Sequence, residues 1–307
     1  MAATVHHLVP RPASPDLAAA VAAFLDTKQG GTHRAYAATL RALASHLGPA
    51  LLAELEGEPT ADRLAAWFRA RWGDKAPATW NRNLDALRSA VGYWRDQGWL
   101  AADPTRRLER RPLPPDRTRA LSRREIAALL KREDIGQRER ALWHMLYETA
   151  ARASEVLALN VEDLDLANHR ATVRRKGGAA DVIVWQIGTA RQLPRLLKGR
   201  RAGPVFLTSR RARQAVALGD LDPSSGRARL SYRRAAELFE QATGGKTLHQ
   251  LRHSALTHAA EDGWSTPALM SYSGHTSVRT LARYARVSAE VLGRMQADRD
   301  PANRRRP

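Results

Sequence analysis

Apolar positions in the first third of the chain recur at helical spacing, with polar and charged residues between them. Leu17, Val21, Phe24 and Leu25 form one stripe, Leu40, Leu43 and Leu47 a second, Leu64, Trp67 and Phe68 a third, and Leu84, Leu87, Val91 and Trp94 a fourth. Gly30-Gly31, Gly48-Pro49, Gly57 to Pro59 and Gly73 to Pro77 fall between the stripes, where residues of this kind end helices. The pattern predicts a small all-α domain over 16–103, preceded by a patternless tail, 1–15, with three prolines.

Residues 104–119 carry four prolines and six arginines, cannot hold a regular helix, and predict a basic linker. The next helix is signalled by Ser122, an N-cap candidate with Glu125 three residues on and Ile126, Leu129 and Leu130 behind it. After a helix around 141–148 the period changes. Between His169 and Ile187, Ala171-Thr-Val-Arg and Asp181-Val-Ile-Val-Trp alternate on either side of Lys176-Gly177-Gly178, which predicts a β-hairpin with the lysine at its turn. Helices are predicted again over 230–242, 248–262 and 289–297. The expected fold is mainly α: an all-α N-terminal domain, then over 120–307 a mixed, mostly α domain with a small β-sheet.

Charge narrows the partners. Lys and Arg number 50 against 31 Asp and Glu, a net +19. Residues 1–110 hold 14 basic and 11 acidic side chains, whereas 111–307 hold 36 and 20; from Val182 to Gly219 there are eight basic residues and no acid. Such a surface favours a polyanion, nucleic acid foremost, although a solvated basic face has the same composition. The chain has no cysteine, which excludes disulfides, thiolate nucleophiles and cysteine-ligated zinc. Its longest early apolar run, Leu17 to Leu25, is far short of the roughly 20 residues that span a bilayer. No secretory signal pattern is present. A cytoplasmic protein without a membrane partner is expected.

Candidate chemistry lies late in the chain, in His249-Gln-Leu-Arg252-His253, then Gly274-His275, then Tyr284 nine residues on. Arg252 follows His249 by one helical turn, so both can meet one phosphate, and a guanidinium suits that ligand through its planar fork. His249 and His253 also have the spacing of a helical zinc pair, but Gln250 stands where a zincin has glutamate. No metal is expected, and His253 reads as a structural side chain. Tyr284 is flanked by Arg279, Arg283 and Arg286, cations that lower the cost of phenolate character; a tyrosine here could equally fill an amphipathic helix. Metal-free phosphodiester chemistry needs cations, a nucleophile and an acid for the departing oxygen, and the chain offers a candidate for each.

Taken in order, these boxes resemble the tyrosine recombinases of the phage-integrase family, over about residues 16–297. Thr149-Ala-Ala-Arg152-Ala-Ser154-Glu155-Val-Leu resembles the turn that carries the family's first catalytic arginine. Lys176 falls on its hairpin lysine, His249 to His253 on its His-x-Leu-Arg-His box, and Gly274, His275 and Tyr284 on its Gly-His box and tyrosine. The resemblance implies a site-specific recombinase acting on paired sites in double-stranded DNA, through a 3′-phosphotyrosyl link and a Holliday junction, with no cofactor. Arg152 and Arg252 would clamp the scissile phosphate, Tyr284 would attack it, and Lys176 would protonate the 5′-oxygen. His249 would serve proton transfer, His275 would hydrogen-bond a non-bridging oxygen, and Glu155 would orient a catalytic side chain. The chain departs from the family where the loop after Lys176 lacks further basic residues, where Ser273 replaces a common leucine before Gly-His, and where Leu281 replaces a frequent threonine.

The resemblance also implies that the N-terminal helices form a core-binding domain, so that two domains clamp the duplex. The stretch Thr79 to Arg88 resembles that domain's fourth helix, making Thr79, Arg82 and Arg88 candidate DNA contacts, or else solvated positions of an ordinary amphipathic helix. Val291, Leu292 and Met295 would lie on a short tail helix that docks on a neighbour in a synaptic tetramer, coupling four sites so that half act at a time, or packs on its own domain. No arm-binding region is expected before the core-binding domain, an Xer-like layout. Two other functions share these residue types: a type IB topoisomerase, and a DNA-binding regulator with a vestigial site.

Overall fold

The computed structural model describes residues 14–114, 119–175, 178–213 and 216–281, together with 292–293, 296–297 and 300. The chain divides into two compact units, Met1–Asp116 and Arg117–Pro307.

In the first unit the four stripes become α1 (Leu17–Asp26), α2 (Gly30–Leu47), α3 (Glu58–Trp72) and α4 (Pro77–Asp96). Asp16 starts α1 by accepting the Ala19 N–H at 2.7 Å, and Pro77 opens α4, where its missing donor costs nothing. Phe24, Leu40, Leu43, Leu64, Phe68, Leu84, Leu87 and Trp94 meet in the core. Phe68 packs edge-on against Trp80, centroids 4.7 Å apart, and the buried Trp94 indole satisfies its N–H on the Ala20 carbonyl at 2.9 Å. The proline- and arginine-rich segment forms no helix among its described residues, and its first half lies along this unit. Leu108 is buried, Arg111 stacks 3.9 Å over Trp80, and Asn81 exchanges two 2.8 Å hydrogen bonds with the Arg111 main chain. Asn81 is therefore buried for a reason internal to the unit.

The second unit contains α5 (Arg123–Leu130), α6 (Gln137–Thr149), α7 (Ala153–Ala158), β1 (Leu164–Asp165), β2 (Arg170–Arg174), β3 (Ala180–Val184) and α8 (Ile187–Leu197). There follow β4 (Leu207–Arg211), β5 (Arg227–Arg229), α9 (Tyr232–Thr243), α10 (Leu248–Glu261), α11 (Thr266–Ser273) and α12 (Val278–Leu281). Ser122 and Glu125 form the reciprocal capping box expected at the start of α5. β1, β2 and β3 make a three-stranded antiparallel sheet in that order, with Arg174 opposite Ala180. Ala171, Val173 and Ile183 face the core, where α6 contributes Leu142, Trp143, Met145 and Leu146 and later elements bring Leu193, Phe206 and Phe239. A second apolar cluster joins Ala150, Leu256, Leu269 and Leu281. The fold is the mainly α architecture with a small sheet that the sequence predicts. The helix expected over 289–297 lies largely outside the described residues.

Candidate active site

Helix α6 ends at Thr149, and Ala150 takes a left-handed conformation, φ +48°, that turns the chain sharply. Thr149 supports the turn: its hydroxyl donates to the Met145 carbonyl at 2.6 Å and accepts the Ala151 N–H at 3.2 Å. Arg152 is thereby delivered to the N-cap of α7. The buried Glu155 side chain accepts both the Arg152 main-chain N–H at 3.0 Å and its Nη1 at 2.7 Å. Glu155 thus orients Arg152 through two bonds at once, a charge-assisted arrangement that fixes a flexible side chain.

The other side of that carboxylate belongs to Arg175, at the end of β2. Arg175 is 9% exposed; its Nη1 donates to Glu155 at 2.8 Å and its Nε to Asp181, across the hairpin, at 2.8 Å. The third group, Nη2, is buried and has no acceptor among the described residues. The guanidinium lies against Gly274, the left-handed C-cap of α11, so closely that a Cβ there would sit 2.5 Å from Cζ.

Arg252 enters from α10 and is 4% exposed. Its Nη1 donates to the Ala150 carbonyl, which holds the turn before Arg152, and its Nη2 donates to the Ser273 carbonyl at 2.9 Å. The same Nη2 lies 3.2 Å from His275 Nε2. Main-chain carbonyls orient a guanidinium without cancelling its charge. Arg152, Glu155, Arg175, Gly274, His275 and Arg252 are consequently linked neighbour to neighbour.

His249 lies one turn before Arg252 on α10 and is exposed; His253 is half-buried with Nδ1 3.3 Å from the Thr257 hydroxyl. Among the described residues no group of three or more His, Cys, Asp and Glu could hold a metal ion. Lys176 and Tyr284 lie outside the described residues, as do Arg283 and Arg286. Two other tyrosines of this unit have their phenols committed. Tyr272 donates to the Tyr147 and Glu148 carbonyls at 3.2 and 3.0 Å, and burial pushes its pKa up, while Tyr147 bonds His258 Nδ1 at 2.8 Å.

The remaining candidates belong to α4 of the first unit. Arg82 is exposed and Thr79 half-buried. Arg88 has work inside its own unit: its Nη2 donates to the Leu108 carbonyl at 2.6 Å and so holds the proline-rich segment. Sequence reasoning overlooked Arg175, although the signal was present. The strand alternation that buries Ala171 and Val173 puts position 175 on the inner face, with Asp181 across the turn to receive it. Ser273 was visible only as a departure; its role appears in the contacts it makes.

Residues 119–290 match the phage integrase family. A tyrosine recombinase XerC from Rhodospirillum centenum is 32% identical over 254 residues, covering 78% of this chain and 71% of its own length. Another, from Mycobacterium bovis, is 31% identical over 280 residues, covering 85% and 89%. Among solved structures, the Tn1549 transposon integrase in complex with circular intermediate DNA has a TM-score of 0.64 at 17% identity, covering 92% of this chain and 99% of that one. A lambda integrase dimer bound to a COC′ core site gives 0.64 at 15% identity, covering 89% and 77%. The fold is that of these integrases. The chain belongs to the phage integrase family and is a tyrosine site-specific recombinase. Among the described residues no helix is long and apolar enough to cross a membrane.

Proposed function

We propose that the enzyme cleaves and rejoins double-stranded DNA at specific target sites through a 3′-phosphotyrosyl intermediate, exchanging strands by way of a Holliday junction within a synaptic tetramer in the cytoplasm. The chain of contacts that runs from Arg152 through Glu155 and Arg175 to Gly274, next to which His275 meets Arg252, carries this reading. Two cations converging on one region suit the charge that develops on a pentacoordinate phosphorus.

In the proposed step the Tyr284 phenol oxygen bonds to phosphorus while the bond to the 5′-oxygen breaks. Lys176 supplies the proton that the 5′-oxygen needs, and the phenol proton passes to His249. The phosphotyrosine retains the phosphoester bond, so a 5′-hydroxyl from the partner duplex can reverse the step without ATP or a metal. Thr79 and Arg82 would meet the duplex from the first unit, Arg88 chiefly through the segment it holds, and the tail helix bearing Leu292 would dock on a neighbouring protomer.

The test is covalent capture. A duplex nicked beside a cleavage site, mapped beforehand by trapping the wild-type protein on its host DNA, accumulates a protein–DNA adduct with the intact chain and none with Tyr284→Phe. No adduct with the intact protein reduces the chain to a DNA-binding regulator. Efficient relaxation of supercoiled plasmid lacking that site points instead to a topoisomerase-like activity.

A further inference from the structure

Two arginines draw on one buried carboxylate, and they divide its oxygens unequally. Glu155 is 5% exposed. Its Oε1 accepts Arg152 Nη1 at 2.7 Å, while Oε2 accepts the Arg152 main-chain N–H at 3.0 Å and Arg175 Nη1 at 2.8 Å. A carboxylate oxygen offers about two lone-pair positions, so Oε2 has both in use. Arg152 therefore meets Glu155 through a single nitrogen, although a guanidinium beside a carboxylate frequently closes both arms of its fork on the two oxygens. Arg175 does not yield its place easily, because Asp181 holds its Nε at 2.8 Å from across the hairpin and Gly274 lies against its Cζ. The Arg152 side chain, by contrast, is 35% exposed and open to an approaching anion.

We propose that Arg175 is a positioning residue that keeps Arg152 available to a phosphate: by occupying Oε2 it prevents Glu155 from taking the whole Arg152 fork. One arm of Arg152 is then held for orientation, and the rest of the guanidinium serves the anion. The proposal rests on the reading of Arg152 as a ligand of the scissile phosphate, and it assigns a task to a side chain that touches no reacting atom. Electrostatics favour the same arrangement. A carboxylate shared by two guanidiniums neutralises neither completely, whereas Glu155 with Arg152 alone would form a closed, desolvated pair. Methionine at position 175, similar in length but without a donor, would leave a lone pair of Oε2 vacant for the second arm of Arg152. Arg152 would then be drawn onto Glu155 and away from the phosphate.

Crystal structures of the free full-length protein read the geometry, and adduct formation on the mapped nicked duplex reads its consequence. In the wild type Arg152 meets Glu155 through one nitrogen; in Arg175→Met its fork closes on both oxygens. Arg175→Met also slows adduct formation at saturating DNA roughly tenfold or more, part of what withdrawing a transition-state donor costs. DNA affinity stays within about twofold, because binding is spread over many phosphates. Arg175→Lys, which keeps a charged donor for Oε2, retains most of the rate. Neutralising the carboxylate supplies a readout that a packing role would not move. In a Glu155→Gln background the amide has one oxygen and cannot take the fork, so adding Arg175→Met slows the reaction by no more than about twofold. That comparison decides even where Arg175→Met alone folds poorly, since the double variant leaves neither charge buried alone. A comparable loss that persists in the Glu155→Gln background overturns the proposal, as does Arg175→Met reacting at the wild-type rate. So does a wild-type structure with Arg152 already paired through both arms, or an Arg175→Met structure with Arg152 unmoved. Failure of the intact chain to form an adduct would instead overturn the recombination chemistry, and the two structures would still decide how Arg152 pairs.

Discussion

At Gly274 two separate constraints exclude a side chain. Its φ of +63° lies in the region where a Cβ meets the following carbonyl, and the added atom would sit 2.5 Å from Arg175 Cζ and 2.6 Å from its Nε. Arg175 cannot readily retreat, because Glu155 and Asp181 hold it from two sides. Gly274→Ala is expected to lose about 2–4 kcal/mol of stability, combining left-handed strain with overpacking, and to lose cleavage as His275 and the guanidinium are pushed apart. Urea denaturation measures the first and adduct formation the second. If the collision is the larger cause, Arg175→Ala combined with Gly274→Ala will show a coupling of about 1 kcal/mol or more; strictly additive losses would assign the effect to backbone strain alone.

The helices that build the site differ in how plainly the chain announces them, and the difference follows from what each one buries. Helices α1 to α4 pack against one another along continuous stripes, and α5 carries a capping box, so both kinds of signal stand in the sequence. Helix α11 is eight residues long and buries only Leu269 and Ser273, too little for a stripe. Helix α8 runs through Pro194, which reads as a breaker, while β4 turns three of its five residues to solvent and so shows no alternation. Helices α6 and α10, which carry parts of the candidate site, are also joined by a partly buried Tyr147–His258 hydrogen bond. Burial, and next the charge of Arg123, hold the His258 pKa below its ordinary 6.5. Below about pH 6.5 the unfolded chain therefore binds a proton that the folded chain resists, so stability falls on acidification and levels off above that pH. Thermal melts between about pH 7.5 and 5.5 should show the decline, with a shallower slope in His258→Gln. An identical slope in the variant would remove His258 as its source.

Across the whole molecule, the proposed reacting groups stand in the sequence as short boxes, because the chemistry they would perform fixes residue type and local spacing. The contacts that join Arg152 to Arg252 and His275 were not legible, because Arg175, Gly274 and Ser273 come into contact with them only when β2, α7 and α11 are brought together. Charge was legible, and the structure gives it a distribution. The unit Met1–Asp116 has 15 basic and 12 acidic side chains, +3, and Arg117–Pro307 has 35 and 19, +16. In the second unit Arg210, Arg211, Arg213 and Arg227 are exposed at the two-stranded β4–β5 sheet and the residues beside it, and among the described residues they make no ion pair. Cations left unpaired in this way are available to DNA phosphates. Each phosphate neutralised releases condensed counterions and steepens the fall of log K with log salt by about 0.9 on a duplex. Replacing all four arginines with glutamine is therefore expected to flatten that slope by about 3 to 4 and to weaken binding similarly on target and non-target duplexes, since phosphate contacts carry no sequence information. Fluorescence anisotropy across a salt series measures both quantities. A slope unchanged by the fourfold substitution would mean that this sheet faces away from the duplex and that the charge acting on DNA lies elsewhere in the second unit.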